Sequence, residues 1–175
     1  MMSLNKNIDP LTPKELAKNL ISMIEYEEGD RFYEPFKGKG AFYDVMPEPK
    51  DWAEINLGRD FFSYLPFDGH CEHIITNPPF KVDGKNAFIT ILERSMNIAN
   101  KTVAMLVNHR MMNSLTPVRL ERYKQNGWVI TNIHVVSVKK WFGRYWFVIF
   151  KKNGHSIITW DLKNYDDEDG IYDAP

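Results

Sequence analysis

Asn77-Pro78-Pro79-Phe80 is the stretch of this chain whose residue types and order can do chemistry. It comes directly after the apolar run His73-Ile74-Ile75-Thr76, which reads as the end of a buried strand. Neither proline can continue that strand, because each lacks an N–H and fixes φ at about −65°. A residue before proline is also held out of the α region, so the chain must leave the sheet in one stiff, extended conformation. The resulting platform offers an amide side chain, a backbone carbonyl and an aromatic ring. An exocyclic amine on a planar heterocycle suits it: two acceptors take the N–H groups and the ring stacks on the heterocycle's face. In isolation Asn-Pro-Pro reads better as a proline-stiffened loop, so the surrounding elements must decide.

Three further groups stand at expected strand ends. Glu34 and the Gly38-x-Gly40 turn close a first short strand, Arg31 to Glu34, and the glycines let backbone approach a ligand where a Cβ would collide. Glu54 closes a second, Asp51 to Ile55, 20 residues after Glu34, a spacing at which dinucleotide folds place a carboxylate on ribose hydroxyls. Asp60-Phe61 offers a carboxylate for an adenine amine and a ring for its face. The turn is not Gly-x-Gly-x-x-Gly, because Tyr43 stands at the last position, so a phosphate cradle is incomplete. A nucleoside cofactor without phosphates fits better, and S-adenosylmethionine is the candidate.

The elements that must hold these residues alternate. Thr12-Pro13-Lys14-Glu15 has the form of a helix start, with Thr12 as N-cap and Glu15 closing a capping box. Leu16, Leu20, Ile21 and Ile24 continue it as one apolar stripe. Ala41 to Val45 would open a helix. His70 to Thr76 is the strand that delivers the tetrapeptide, and Asn86 to Ala99 is helical. Thr102 to Val107 is a buried strand, and Thr116 to Gln125 a polar helix stopped at Gly127. Trp128 to Val138 and Tyr145 to Phe150 form a hairpin, with His155 to Trp160 as a candidate edge strand. The pattern predicts an α/β, Rossmann-like sheet, mostly parallel, with a C-terminal antiparallel hairpin. Ligands in such sheets bind outside the strands' carboxyl ends.

Composition bounds the rest. A chain of 175 residues with 43% hydrophobic content supports one domain with a real core, expected over residues 1–163. Residues 164–175 carry Asp166, Asp167, Glu168, Asp169 and Asp173 with no basic residue, and read as a flexible acidic tail. Net charge is −1; setting those five aside leaves 22 basic against 18 of the 23 acidic groups. Such a body tolerates nucleic acid without requiring it. One cysteine, Cys71, excludes an internal disulfide framework. No membrane span or signal peptide is legible, so an intracellular, cytoplasmic protein or one made in a host cell is expected. His70-Cys71-x-His73 invites a metal reading, but neighbours on a strand point to opposite faces and no second ligand pair comes after them, so no metal is expected.

The whole set resembles the adenine-N6 amino-methyltransferases that use S-adenosylmethionine and carry Asn-Pro-Pro-Tyr/Phe motifs, over roughly residues 12–150. Thr12-Pro13 resembles their element bordering the cofactor's methionine end. Glu34-Pro35-Phe36-Lys37-Gly38-Lys39-Gly40-Ala41-Phe42 resembles their cofactor loop, with Lys37 and Lys39 where small residues are usual. Glu54, Asp60-Phe61 and Asn77-Pro78-Pro79-Phe80 match ribose, adenine and catalytic positions. The segment between Glu54 and Asn77 is short for the third strand of the family's seven-stranded sheet. No target-recognition domain of the kind sequence-specific DNA methyltransferases add is expected. The resemblance implies methyl transfer to an exocyclic amine, adenine N6 in DNA foremost, with the target base flipped or single-stranded. Phe80, Lys81, Lys85, His109, Lys139 and Arg144, with Lys140, would flank the substrate. Trp141, Tyr145 and Trp146 read either as a base platform or as the packed face of the hairpin. Rival readings are a guanine-N2 RNA methyltransferase, a glutamine-side-chain methyltransferase, and a non-catalytic binding or anti-defence protein on the same fold.

Overall fold

The computed structural model describes residues 11–82, 87–141 and 143–163. Its centre is the long strand β4 (Ala99–Asn108), whose residues 102–107 are all buried because both faces of the sheet are covered. Around it stand β1 (Phe32–Glu34), β2 (Lys50–Trp52), β3 (Cys71–Thr76), β5 (Trp128–Val136) and β6 (Tyr145–Lys152), in the order β2-β1-β3-β4-β6-β5. The first four in that order run parallel. β6 lies antiparallel between β4 and β5, with Asn108 opposite Tyr145 and Val136 opposite Tyr145 on its other side. The fold is therefore Rossmann-like, mostly parallel with an antiparallel C-terminal hairpin, as the sequence predicts.

Side chains alternate between two cores. One face carries Phe32, Ile75, Ala104, Leu106, Phe147 and Ile149, covered by Ala17, Leu20 and Ile21 of α1 (Lys14–Ile21) and by Phe42. The other carries Tyr33, Ile74, Val103, Met105, Val107 and Val148. Phe88, Ile91 and Leu92 of α2 (Phe88–Ile98) cover that face, with Met111 of α3 (His109–Met112) and Tyr123 of α4 (Pro117–Gln125) beside them. Full burial of each such side chain is worth about 1.5–3 kcal/mol. Thr116 caps α4 as its sequence suggests, accepting from Arg119 N–H at 3.4 Å.

Several expectations change. α1 starts at Lys14 with Pro13 in the cap position and no side-chain cap, so Thr12 does not cap it. The helix expected from Ala41 shrinks to a single 3-10 turn, Tyr43–Val45, because Met46 precedes Pro47 and is forced extended. β2 ends at Trp52, and Glu54 instead accepts from Asn56 N–H to start the 3-10 turn Ile55–Leu57. His155 to Trp160 forms no strand; Ile157 N–H ties it to the Ile130 carbonyl at 3.0 Å, beside the irregularity in β5 pairing between Ile130 and Asn132.

No strand forms between β2 and β3, so among the described residues β2 is an edge and the sheet has six strands rather than seven. Side chains close that edge. Asp51 accepts from Arg59 at 3.0 Å and from the Tyr64 hydroxyl at 2.6 Å, while Arg59 also donates to the Trp52 carbonyl at 3.3 Å and lies 4.2 Å over the Trp52 ring. Consuming a strand's outward groups this way discourages further strand pairing. Among the described residues no helix is long and apolar enough to cross a membrane.

Candidate active site

Parallel strands put Glu34, Ala53-Glu54, Asn77 and His109 along one edge of the sheet, at the carboxyl ends of β1, β2, β3 and β4. The connection between β5 and β6 emerges at the same edge, because β6 begins there at Tyr145 opposite Asn108. That connection brings Lys139 and Arg144, both exposed, to the side of the tetrapeptide away from the glycine loop. His109 and Lys81 are exposed there too, and Lys85 lies outside the described residues.

The glycine loop is built from β1 outward. Glu34 is 2% exposed and its Oε2 accepts from Tyr43 N–H at 2.6 Å, so this carboxylate holds the loop's far end. Burial pushes the Glu34 carboxyl well above its ordinary range, against the opposing pull of Tyr43 N–H and Lys37. Gly38 and Gly40 have φ of 52° and 84°, the left-handed region that favours glycine. A Cβ at Gly40 would stand 2.9 Å from Asp44 Oδ1, whereas one at Gly38 would meet no described atom within 4 Å. Backbone is therefore presented at Gly38. Glu54 reaches it, accepting from Gly38 N–H at 2.9 Å with Oε2 and from the Asn56 side chain at 2.9 Å with Oε1. With Asn56 N–H at 3.1 Å as a third donor, one of the carboxylate's roughly four acceptor positions stays open, on Oε2.

The unusual lysine in this loop has a structural place. Lys37 Nζ sits 4.4 Å from the Trp52 ring centre and 4.7 Å from that of Tyr43. It turns towards the β2 edge, where two ring faces hold it. No local sequence signal marks this, since the three residues meet only in the fold.

Asp60-Phe61 divides into two parts. Asp60 is half-buried and accepts from Phe62 N–H at 3.0 Å. The Phe61 ring is 2% exposed, packed 5.0 Å from Phe36, with Arg94 5.3 Å over it and donating to the Phe61 carbonyl at 2.9 Å. The Phe61 ring is thus enclosed by Phe36 and Arg94. Phe36, half-buried and touching it, is the more open ring. Pro35 is buried.

At the tetrapeptide, Pro78 is buried while Asn77, Pro79 and Phe80 are half-buried. Asn77 Nδ2 donates to Thr12 Oγ1 at 3.2 Å, joining the segment before α1 to the end of β3. The Phe80 ring lies 6.2 Å from Tyr145, which in turn lies 4.5 Å from Trp141. Trp141 and Tyr145 thus stand beside Phe80, while Trp146 packs on the opposite face of the sheet. Asp44, Glu54 and Asp60 stand on the β1–β2 side together with Lys37 and Arg59, whereas Lys139, Lys140 and Arg144 lie on the connection between β5 and β6 with no acidic residue among them. Two acceptors beside an aromatic ring can orient an amine; a nucleoside held by carboxylates would lie on the β1–β2 side.

The metal-like triplet does not converge. Cys71 lies in the α2-side core, whereas His73 stacks on Phe32 at 4.7 Å on the α1 side and pairs with Asp30 at 2.8 Å. Among the described residues no three His, Cys, Asp or Glu side chains are placed to hold a metal ion.

No family model matches the chain, and no curated protein matches it by sequence. Solved structures do match in fold. A candidate RNA methyltransferase from Pyrococcus horikoshii superposes with a TM-score of 0.60 at 16% identity, over 81% of this chain and 86% of that one. TrmN from Thermus thermophilus superposes at 0.54 with 18% identity, over 79% of this chain and 48% of that one. The modification subunit of a candidate type I restriction enzyme from Vibrio vulnificus gives 0.59 at 12% identity, over 87% and 46%. The chain spans most of the first but about half the length of the other two. The shared fold is that of the class I methyltransferases.

Proposed function

We propose that this chain transfers a methyl group from S-adenosylmethionine to an exocyclic amine of a nucleobase, foremost adenine N6 in DNA. The observation that carries the reading is the meeting of two sets at one sheet edge. Asn77-Pro78-Pro79-Phe80 ends β3, and the Glu34–Gly38–Glu54 loop stands at the neighbouring ends of β1 and β2. A binding-only module has no need of both.

Glu54 would take a ribose hydroxyl, Asp60 the adenine amine and Phe36 a ring face, with Gly38 and Gly40 allowing backbone approach. Thr12-Pro13 would border the methionine end. Bound there, the cofactor supplies an electrophilic methyl on a sulfonium. The protein's own contribution is at the target. Asn77 Oδ1 and the Pro78 carbonyl accept the two N–H groups of the amine, drawing its lone pair out of the ring and aiming it. Alignment of two reactants contributes up to about 7–11 kcal/mol in ideal geometry, so positioning rather than a strong base is the main device. Phe80 stacks on the target base, with Tyr145 and Trp141 behind it. Lys81, Lys139 and Arg144 contact phosphates and fix register without reading sequence.

A second reading, methylation of a base amine in RNA, is favoured by the match over most of the length of a candidate RNA methyltransferase. Transfer of labelled methyl to single- and double-stranded DNA and RNA, with digestion to nucleosides afterwards, tests both. Label in N6-methyladenine from DNA is expected; label in an RNA guanine would move the conclusion to the second reading. No transfer to any of the four would sink the enzymatic reading.

A further inference from the structure

We propose that Thr12 is a positioning residue for Asn77: its hydroxyl biases which way the catalytic amide faces. The inference rests on the methyltransferase reading above and adds a residue to its machinery. An asparagine amide carries its acceptor and its donors on two arms of one planar group. Turned one way, Asn77 presents Oδ1 to the target amine; turned the other, it presents N–H groups to N–H groups, and no lone pair is drawn out. The backbone cannot choose between them. Pro78 fixes the direction in which the chain leaves β3, but rotation about the last side-chain bond remains broad and roughly two-fold.

A contact that biases the choice comes from a residue 65 positions away. Thr12 Oγ1 accepts from Nδ2 at 3.2 Å, so the donor arm is held on α1's side of the sheet and Oδ1 turns from it. The hydroxyl is available because it is not spent on the helix. α1 begins at Lys14, Pro13 occupies the cap position without a side-chain bond, and the first helical N–H to be satisfied there, that of Ala17, goes to the Pro13 carbonyl. Thr12 itself is steadied by its attachment to α1. Pro13 is stiff, and Ala17, Leu20 and Ile21 anchor the helix in the core. The position of α1 is thereby coupled to the orientation of the reacting amide.

The test compares Thr12→Val, which keeps shape but loses the hydroxyl, with Thr12→Ser, which keeps it. The expected result is a fall in kcat of about tenfold for Thr12→Val, the size of a lost hydrogen bond, and recovery to within about twofold for Thr12→Ser. KM for the nucleic acid stays level, and any loss of affinity for S-adenosylhomocysteine, whose methionine end Thr12 would border, is smaller than the fall in kcat and is the same in kind for both variants. Unaltered kcat in Thr12→Val, or a loss confined to cofactor affinity, would overturn the proposal. A second readout needs no turnover. In isotope-labelled protein the Asn77 side-chain amide pair, recognised by its disappearance in Asn77→Asp, should shift in Thr12→Val and stay in place in Thr12→Ser. An unmoved pair in an active enzyme overturns the contact alone. Absence of transfer by the wild-type chain instead overturns the methyltransferase reading, and with it the catalytic purpose of the contact.

Discussion

Glu54 and Gly38 are joined: the carboxylate two residues past β2 accepts the loop's backbone N–H at 2.9 Å, so this acid and the glycine turn form one unit. A charge-assisted hydrogen bond is worth about 1.5–3 kcal/mol. Glu54→Ala is therefore expected to weaken S-adenosylmethionine binding by about tenfold or more, through the lost ribose contact and a loosened Gly38. Calorimetry on the variant checks this, and unchanged affinity would remove Glu54 from the site.

Asn77→Ala should abolish transfer while cofactor affinity stays within about twofold, since Asn77 addresses the target and not the nucleoside. Asn77→Asp should retain measurable activity because an acceptor oxygen survives. Single-turnover rates on an adenine-containing oligonucleotide are the measurement; wild-type rates in Asn77→Ala would discard the catalytic assignment.

Phe80→Ala should raise KM for nucleic acid by about tenfold or more, the loss of one base–aromatic stack of about 1–3 kcal/mol. It should also perturb Tyr145, whose ring centre is 6.2 Å away. Near-ultraviolet circular dichroism reads the second effect separately from the first.

Stability should decline in acid in two steps. Burial drives His73 below its ordinary 6.5, with Asp30 pulling against it, so the folded state prefers the neutral ring. A lowered histidine makes the unfolded state bind more protons, and stability falls as pH drops below about 6.5. Asp30 titrates lower down. Burial raises its carboxyl, but the Glu27 N–H, Lys101 and His73 outweigh that and hold it at about 2, so its contribution is full above its usual 3.8 and is lost as pH falls towards 2. Melting temperatures from pH 8 to 2 should show both steps, and Asp30→Asn should shrink the lower one without erasing it, because Glu72, held at about 2 by Arg31, titrates in the same window. A flat profile in the wild-type chain would contradict this account.

Nucleic-acid affinity should be weak, steeply salt-dependent and little affected by sequence, with single strands better substrates than intact duplex. Lys139→Ala with Arg144→Ala should weaken binding uniformly and flatten the salt slope. Competition at two salt concentrations decides. Strong preference for one short duplex sequence would show that the connection between β5 and β6, or a second subunit, reads bases.

What the sequence made legible was local. The proline pair, the glycine turn and the alternation of elements are short-range signals, and each landed at the expected strand end. What it hid depends on distant partners. Thr12 has every mark of a helix cap, yet its hydroxyl is taken by Asn77. Ala41 to Val45 has helical residues, but Met46-Pro47 stops them after one turn. The packing of Phe36 and Arg94 around Phe61 is likewise invisible in the local sequence. Lys37 looks misplaced in a cofactor loop until Trp52 and Tyr43 are found on either side of it.

The insertion of β6 between β4 and β5 has a consequence for the order of assembly. Among the described residues β5 has no neighbour in the sheet except β6, which comes after it in the chain. As the polypeptide leaves the ribosome, β1 to β4 can pair among themselves, but Trp128 to Val136 must wait for Tyr145 to Lys152. Lys139 and Arg144 lie on the segment between those two strands. They can take their final places only when the last strand closes the sheet, so the half that would meet nucleic acid matures after the half that would hold the cofactor.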